Sequence, residues 1–164
     1  MVSAVRYWYK AFGLTEGLNE ESGTAWIADY VLDSQTGKDP YLEDLGTLWL
    51  MHFLLIHSKE ATLYRMFFVD FQQERRLFER EQVISFVKRK MKGAGKENLY
   101  NDNTVRKDVG VMLLNYCLPR NPQSNEDFST LLMDLDLLRQ SDKKDNFIER
   151  CKRHRQGRGY SKSK

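Results

Sequence analysis

Residues 45–57 read LGTLWLMHFLLIH, and this stretch decides the fold class. Its apolar residues recur at three- and four-residue spacing and further leucines cover the remaining sides, which predicts a helix over 43–57. A helix that is apolar nearly all round belongs at the centre of a folded protein. His52 lies within this helix, where a single histidine is more often a core residue than a metal ligand. One face consists of Leu45, Leu48, Trp49, Phe53 and Ile56.

The same apolar spacing continues on both sides of this central helix, so the predicted fold class is mostly α. The architecture we expect is a helical bundle with helix-turn-helix or winged-helix-like elements. Residues 25–32 favour a short helix, although Trp26 and Ile27 also fit a strand, and residues 126–138 predict one last short helix or turn. The other predicted helices cover 3–12, 60–72, 79–92 and 104–116.

The helices predicted over 79–92 and 104–116 are separated by a polar turn, an arrangement similar to a helix-turn-helix reading head. A recognition helix must expose short polar and cationic side chains in its first turn, and Thr104, Arg106 and Lys107 meet that need. The alternative is an ordinary capped helix with a solvated first turn. The link of about a dozen residues is also longer than the usual 3–4-residue turn.

Charge is unevenly distributed along the 164-residue chain, whose net charge is +3. Residues 16–45 hold eight acids against one lysine, whereas residues 74–107 hold ten basic residues against five acids. Residues 149–164 add seven Lys or Arg against one Glu. Basic segments on a mildly acidic body suit contact with a polyanion, but such runs also serve simply to solvate helix faces.

Several function classes find little support in the sequence. No apolar run reaches the roughly 18 residues that a membrane span needs. Two cysteines cannot build a disulfide framework, so a cytoplasmic location is expected. The sequence shows neither metal-ligand spacing nor a nucleophile with its base, so no enzyme, metal or cofactor is predicted. The acidic run 39–44, DPYLED, is interpreted as a helix start rather than as paired catalytic carboxylates, because acids there complement the helix dipole.

Several segments, in this order, resemble the DUF4007 family over about residues 1–138. Two of them are specific when taken together: MVSAVRYWYKAFGL at 1–14, and DPYLED at 39–44 followed by TLWLMH at 47–52. The later blocks are TVRKDV at 104–109, NEDF at 125–128 and LDLL at 135–138.

The resemblance implies a helix-turn-helix-like protein of bacterial anti-phage islands, encoded near sulfur-transfer genes of the PAPS-reductase type that are linked to DNA phosphorothioation. It implies that helix 3–12 ends an N-terminal winged-helix unit, with Ser3, Arg6 and Lys10 on or near its recognition helix. Family members extend further at both ends, so a shortened version is expected. The expected organisation is a winged-helix remnant at 1–32, a helical core domain at 33–141 and a basic, disordered tail at 142–164.

We therefore expect a DNA-binding accessory protein of a prokaryotic DNA-modification defence system. The alternative is a non-catalytic scaffold that docks the sulfur-transfer or helicase partner without touching DNA. The residues expected to contact DNA, mainly through phosphates, are Arg6, Lys10, Lys88, Arg89, Thr104, Arg106 and Lys107.

Overall fold

The computed structural model describes residues 2–15, 23–117, 131–141 and 146–149. Helices make up most of this part of the chain, which confirms the mostly α fold class. Five are regular: α1 (Val2–Ala11), α2 (Trp26–Leu32), α3 (Leu45–His57), α5 (Arg80–Gly93) and α6 (Asp102–Leu114). The remaining helix, α4, runs without interruption from α-helical Thr62–Arg65 through a π-helix, Met66–Phe71, to α-helical Gln72–Glu74.

Helix α3 begins at Leu45, two residues after the predicted start at 43, and the acidic run leads into it as predicted. The Asp44 side chain accepts hydrogen bonds from the backbone N–H groups of Gly46 and Thr47. Asp39 accepts from the N–H groups of Glu43 and Asp44, at 2.9 and 3.0 Å. The bonds to Asp44 satisfy donors that have no partner inside the first turn of α3, and the bonds to Asp39 hold the segment just before the helix.

The core is centred on His52, which is only 7% exposed. A 2.8 Å hydrogen bond joins its Nδ1 to the Tyr116 hydroxyl, just after α6, and the Phe68 ring of α4 lies 4.8 Å from the imidazole. Beside this pair, the Asn115 amide donates a 2.6 Å hydrogen bond to the Tyr64 hydroxyl. His52 is thus a hydrogen-bonded core residue, as the sequence predicts, and it connects three helices.

A second cluster of aromatic side chains joins α4 and α5 to a small sheet. Phe71 contacts Phe78 and Phe86, with ring centroids 5.4 and 5.2 Å apart. Phe78 also stacks on Phe147, at 5.8 Å between ring centroids. Such ring pairs add to the stabilisation that burial of their apolar area provides.

The sheet has three antiparallel strands, none of which is predicted from the sequence. They are β1 (Leu77–Glu79), β2 (Leu138–Gln140) and β3 (Asn146–Glu149), and β3 lies between the other two. Phe78 is opposite Phe147 in the register. Each strand has only three or four residues, too few for an alternating pattern to stand out.

The sheet changes the prediction for the C-terminal region. A 3-10 turn, Met133–Leu135, occupies the described part of the segment predicted as a short helix or turn, and Asp136 follows it with a φ of 49°. Strand β3 lies inside the segment 142–164 that was expected to be a disordered tail, so that expectation is wrong for residues 146–149. The physical reason is Phe147, which is buried against Phe78. Residues 126–130 and 150–164 lie outside the described residues.

We predict that His52 makes stability pH-dependent between about pH 6.5 and 4. Burial lowers the pKa of His52 from 6.5 to about 4, so the unfolded chain binds its proton first as the pH falls. The free energy of unfolding should therefore fall by up to about 3 kcal/mol across this window. His52→Asn keeps a polar group near the Nδ1 position but does not titrate. The free energy of unfolding of this variant should therefore fall less over the same pH range than that of the unaltered protein. Urea denaturation at several pH values measures both slopes, and parallel slopes would contradict the prediction.

Candidate nucleic-acid interface

The start of α6 is fixed by a side-chain cap. The Asn101 Oδ1 accepts a 3.1 Å hydrogen bond from the backbone N–H of Thr104. The sequence ends the preceding turn with a cluster of N-cap residue types at 101–104, and the structure uses the first of them. Thr104 is exposed on the first turn, as a recognition helix requires.

Arg106 lies between two carboxylates instead of pointing freely to solvent. Its Nε donates to Asp102 at 2.6 Å and one of its terminal nitrogens donates to Glu81 of α5 at 2.5 Å. The hydrogen bonds to Glu81 and Asp102 raise the pKa of Arg106. The hydrogen bonds from Arg106 and Tyr100 lower the pKa of Asp102. Arg106 thus connects the first turns of α5 and α6.

Lys88 belongs to the same cluster. Its Nζ lies 5.6 Å from the centre of the Tyr100 ring, and the Tyr100 hydroxyl donates a 2.9 Å hydrogen bond to Asp102. Lys88 is exposed, so its charge faces solvent near the start of α6. The structure therefore brings Lys88 and Arg106, two of the predicted contact residues, to the same helix end.

Arg89 lies on another side of α5. One of its terminal nitrogens donates to both carboxylate oxygens of Glu74, at 2.9 and 2.7 Å, and the neighbouring Lys90 lies 3.1 Å from Asp70. Both acids belong to α4. The basic run of α5 is thus partly held by ion pairs to α4, a contact that neither the polyanion interpretation nor the solvation interpretation of the sequence includes.

Lys107 is exposed on α6, and no ion pair between described residues includes it. On α1, Arg6 is exposed and Lys10 is half-buried. Helices α1 and α6 line one groove of about 290 Å³, to which they contribute Tyr7 and Trp8 on one side and Asp108 and Val111 on the other. Both predicted DNA-contacting helices therefore border the same groove.

Sequence reasoning missed Arg80, whose side chain extends across α6. Its guanidinium donates a 2.6 Å hydrogen bond to the carbonyl oxygen of Arg106. A Cβ atom added at Gly110 would lie 2.6 Å from that guanidinium, so the glycine leaves room for it. The glycine inside an otherwise helical pattern is the sequence signal for this close approach.

The described residues meet the requirements of neither a metal site nor a membrane span. Among them, no three His, Cys, Asp or Glu side chains form a group that could hold a metal ion. None of the helices in that part of the chain is both long enough and apolar enough to cross a lipid bilayer.

The fold and site define a mostly α protein that has a small antiparallel sheet and a cation-bearing helix start. The sequence model of the family described as "Protein of unknown function (DUF4007)" matches residues 1–156. The chain therefore belongs to the DUF4007 family.

Two solved structures are similar to this chain. The SspB crystal structure has 28% sequence identity and a TM-score of 0.71, and the crystal structure of magnesium ion-bound SspB has 25% identity and a TM-score of 0.69. Each comparison covers 92% of this chain and 47% of the other, so this chain spans about half the length of those relatives. A comparison with curated proteins gives no match.

We predict that the cap at Asn101 sets the stability of the α6 start. Asn101→Ala should lower the free energy of unfolding by about 1 kcal/mol, because the N–H of Thr104 loses its acceptor. Asn101→Asp keeps an acceptor and should cost less, and Asn103→Ala serves as an exposed control on the same turn. Urea denaturation followed by tryptophan fluorescence measures all three, and equal losses for the two alanine variants would contradict the assignment.

Proposed function

We propose that this protein is a DNA-binding accessory protein of a prokaryotic DNA-modification defence system of the phosphorothioation type. The observation that carries the proposal is the order of elements over residues 62–149. With the two 3-10 turns left aside, the described elements follow the order helix, strand, two helices and two strands, and the last strand lies between the other two. This order resembles that of a winged helix, and on that likeness we assign α6 to the place of the recognition helix.

The outward side of α6 supports this role. Asn103, Thr104, Lys107 and Val111 are all exposed, whereas Val109, Met112 and Leu113 on the other side are buried. With 13 residues, α6 is about 20 Å long, and the major groove of B-DNA admits a helix of this kind. The winged-helix-like elements at residues 62–149 lie outside residues 1–32. The winged-helix remnant expected at residues 1–32 stays a prediction from the family resemblance.

The ion pairs divide the five predicted contact residues of α5 and α6 into two groups. Lys88 and Lys107 are exposed next to α6, and we assign them to phosphates, with Thr104 as the residue nearest to base edges. Arg106 and Arg89 already bind carboxylates, so we assign them to holding α6 and α5 in place. Arg6 and Lys10 on α1 would extend the phosphate contacts along the neighbouring helix.

The cellular role rests on the family. DUF4007 members resemble helix-turn-helix proteins encoded near sulfur-transfer genes, and DNA contact through α6 would bring such a partner to its substrate. No catalytic group is assigned to this chain, and the partner we propose is a PAPS-reductase-like protein. This part of the proposal depends on the family resemblance, whereas DNA contact depends on α6.

We predict that the protein binds duplex DNA with an affinity that falls steeply with salt, because cationic contacts release counterions from the phosphates. Lys107→Gln should weaken binding and reduce the slope of log affinity against log salt by about 1. Fluorescence anisotropy with a labelled duplex of about 20 base pairs, at 50 to 200 mM salt, measures both quantities.

Lys38→Gln is the matched control, because it removes one exposed positive charge from the acidic segment far along the chain from α6. It should leave the slope unchanged. Absence of salt-sensitive duplex binding by the unaltered protein would refute the proposal. Equal effects of the two substitutions would show that only net charge matters.

A docking scaffold is the second candidate, and the outer face of α3 favours it. Leu45, Trp49 and Phe53 recur every four residues and are 52%, 42% and 54% exposed, which is unusual for a helix with a buried centre. Contiguous exposed apolar side chains often mark a protein-binding surface. Helix α3 itself contains no Lys or Arg that could pair with the phosphates of duplex DNA.

For the scaffold, we predict that Trp49→Ser combined with Phe53→Ser lowers co-purification of a PAPS-reductase-like partner after nuclease treatment. Lys107→Gln should leave that co-purification unchanged. The reverse pattern, with loss only on Lys107→Gln or on nuclease treatment, would mean that DNA bridges the two proteins.

A further inference from the structure

The groove beside α6 has two adjoining parts that meet at Asp108. One part, of about 330 Å³, lies between α4, α5 and the start of α6, and the other is the part of about 290 Å³ that α1 borders. Thr62, Leu63 and Asp108 line both parts. These volumes lie at the small end of the range for ligand pockets, about 300–1,000 Å³, and suit one or two side chains.

The charge of this groove has one sign. Asp108 and Glu60 are the charged residues that line it, and both are acids. No ion pair between described residues includes either of them, although the nearby acids Asp102, Glu81 and Glu74 are all paired. The carboxylates of Asp108 and Glu60 would repel a phosphate backbone. The groove shares Thr104 and Val111 with the outward side of α6, but neither Lys88 nor Lys107, the lysines assigned to phosphates, lines it.

Apart from the polar residues Thr62, Asn101 and Thr104, the rest of the lining is apolar and aromatic. Leu63, Met66, Val87 and Met91 form an apolar wall on one side of Asp108, and the Tyr7 and Trp8 rings lie on the other. A long side chain with a methylene stem and a cationic head matches this combination, because its stem packs on the wall while its head reaches the carboxylate. Arginine fits better than lysine, since its planar guanidinium can pair with both carboxylate oxygens and stack on aromatic rings.

We propose that the Asp108 groove binds an arginine side chain from a basic segment of a partner protein. The site goes beyond DNA binding and does not depend on it. The Asp108 side chain is exposed, so a ligand can reach it, and partial burial raises the pKa of its carboxyl. A guanidinium beside it would favour the charged form. Carboxylate, wall and rings together define the arginine site.

The test uses the full chain and a short peptide, acetyl-Arg-Leu-Arg-amide, with acetyl-citrulline-Leu-citrulline-amide as the uncharged control of the same shape. Two-dimensional 1H–15N NMR spectra are recorded as each peptide is added. We expect the arginine peptide to shift the amide signals of Leu63, Thr104 and Asp108, and the citrulline peptide to leave them in place. Asp108→Asn should lower the affinity for the arginine peptide at least tenfold. Asp134 is an exposed acid on another turn, so Asp134→Asn should leave that affinity unchanged.

Folding and DNA binding are checked separately. Asp108→Asn should unfold at the same or a higher urea concentration, and it should bind duplex DNA at least as well as the unaltered protein. Equal binding of both peptides, or unchanged arginine binding by Asp108→Asn, would overturn the proposal. It would also be overturned if cytidine or adenosine, but not the arginine peptide, shifted the signals of the groove, because the ligand would then be an unpaired base.

Discussion

The hydrogen bond between His52 and Tyr116 joins the apolar centre of the protein to the end of α6. Around it, Phe68 of α4 packs on the imidazole and Tyr64 receives a bond from Asn115, so α3, α4 and α6 share one buried polar contact region. A polar pair in an apolar core is costly to leave unmade, and its directionality fixes how the helices meet. The orientation of α6, and with it the position of Thr104 and Lys107 on the proposed DNA surface, depends on this contact.

The ion pairs determine which cations are available for a ligand. Arg106 bridges Asp102 and Glu81, and Arg89 is bound to Glu74, so both guanidinium groups already serve the packing of α5 and α6. Exposed ion pairs stabilise a protein only modestly, but they hold side chains in one place. A count of basic residues therefore overstates the positive charge that this surface offers to a polyanion. Most of the available charge comes from the exposed lysines, Lys88 and Lys107.

The sequence predicts the helices well because each extends over several turns of regular apolar spacing. The 39–44 run precedes a helix as predicted, but it acts through the N-cap hydrogen bonds of Asp44 rather than through acids in the first turn, of which α3 has none. Sequence reasoning misses the strands because three or four residues carry no period, and Phe147 and Ile148 are the only apolar residues between positions 141 and 150. In the candidate site, the exposed position of Thr104 follows from its place on the first turn. The contact of Arg106 with Asp102 is local, whereas its contact with Glu81 joins residues 25 positions apart, which spacing along one helix cannot reveal.

The order of the strands has a consequence for the synthesis of the chain. Because β3 is the middle strand and is made last, β1 and β2 have no neighbour to pair with until it leaves the ribosome. Two unpaired strand edges and the Phe78 ring are then open to other chains, which is the condition under which nascent proteins aggregate or recruit chaperones. The nascent chain is therefore most vulnerable just before residue 149 emerges, when the helices are complete and the sheet is not.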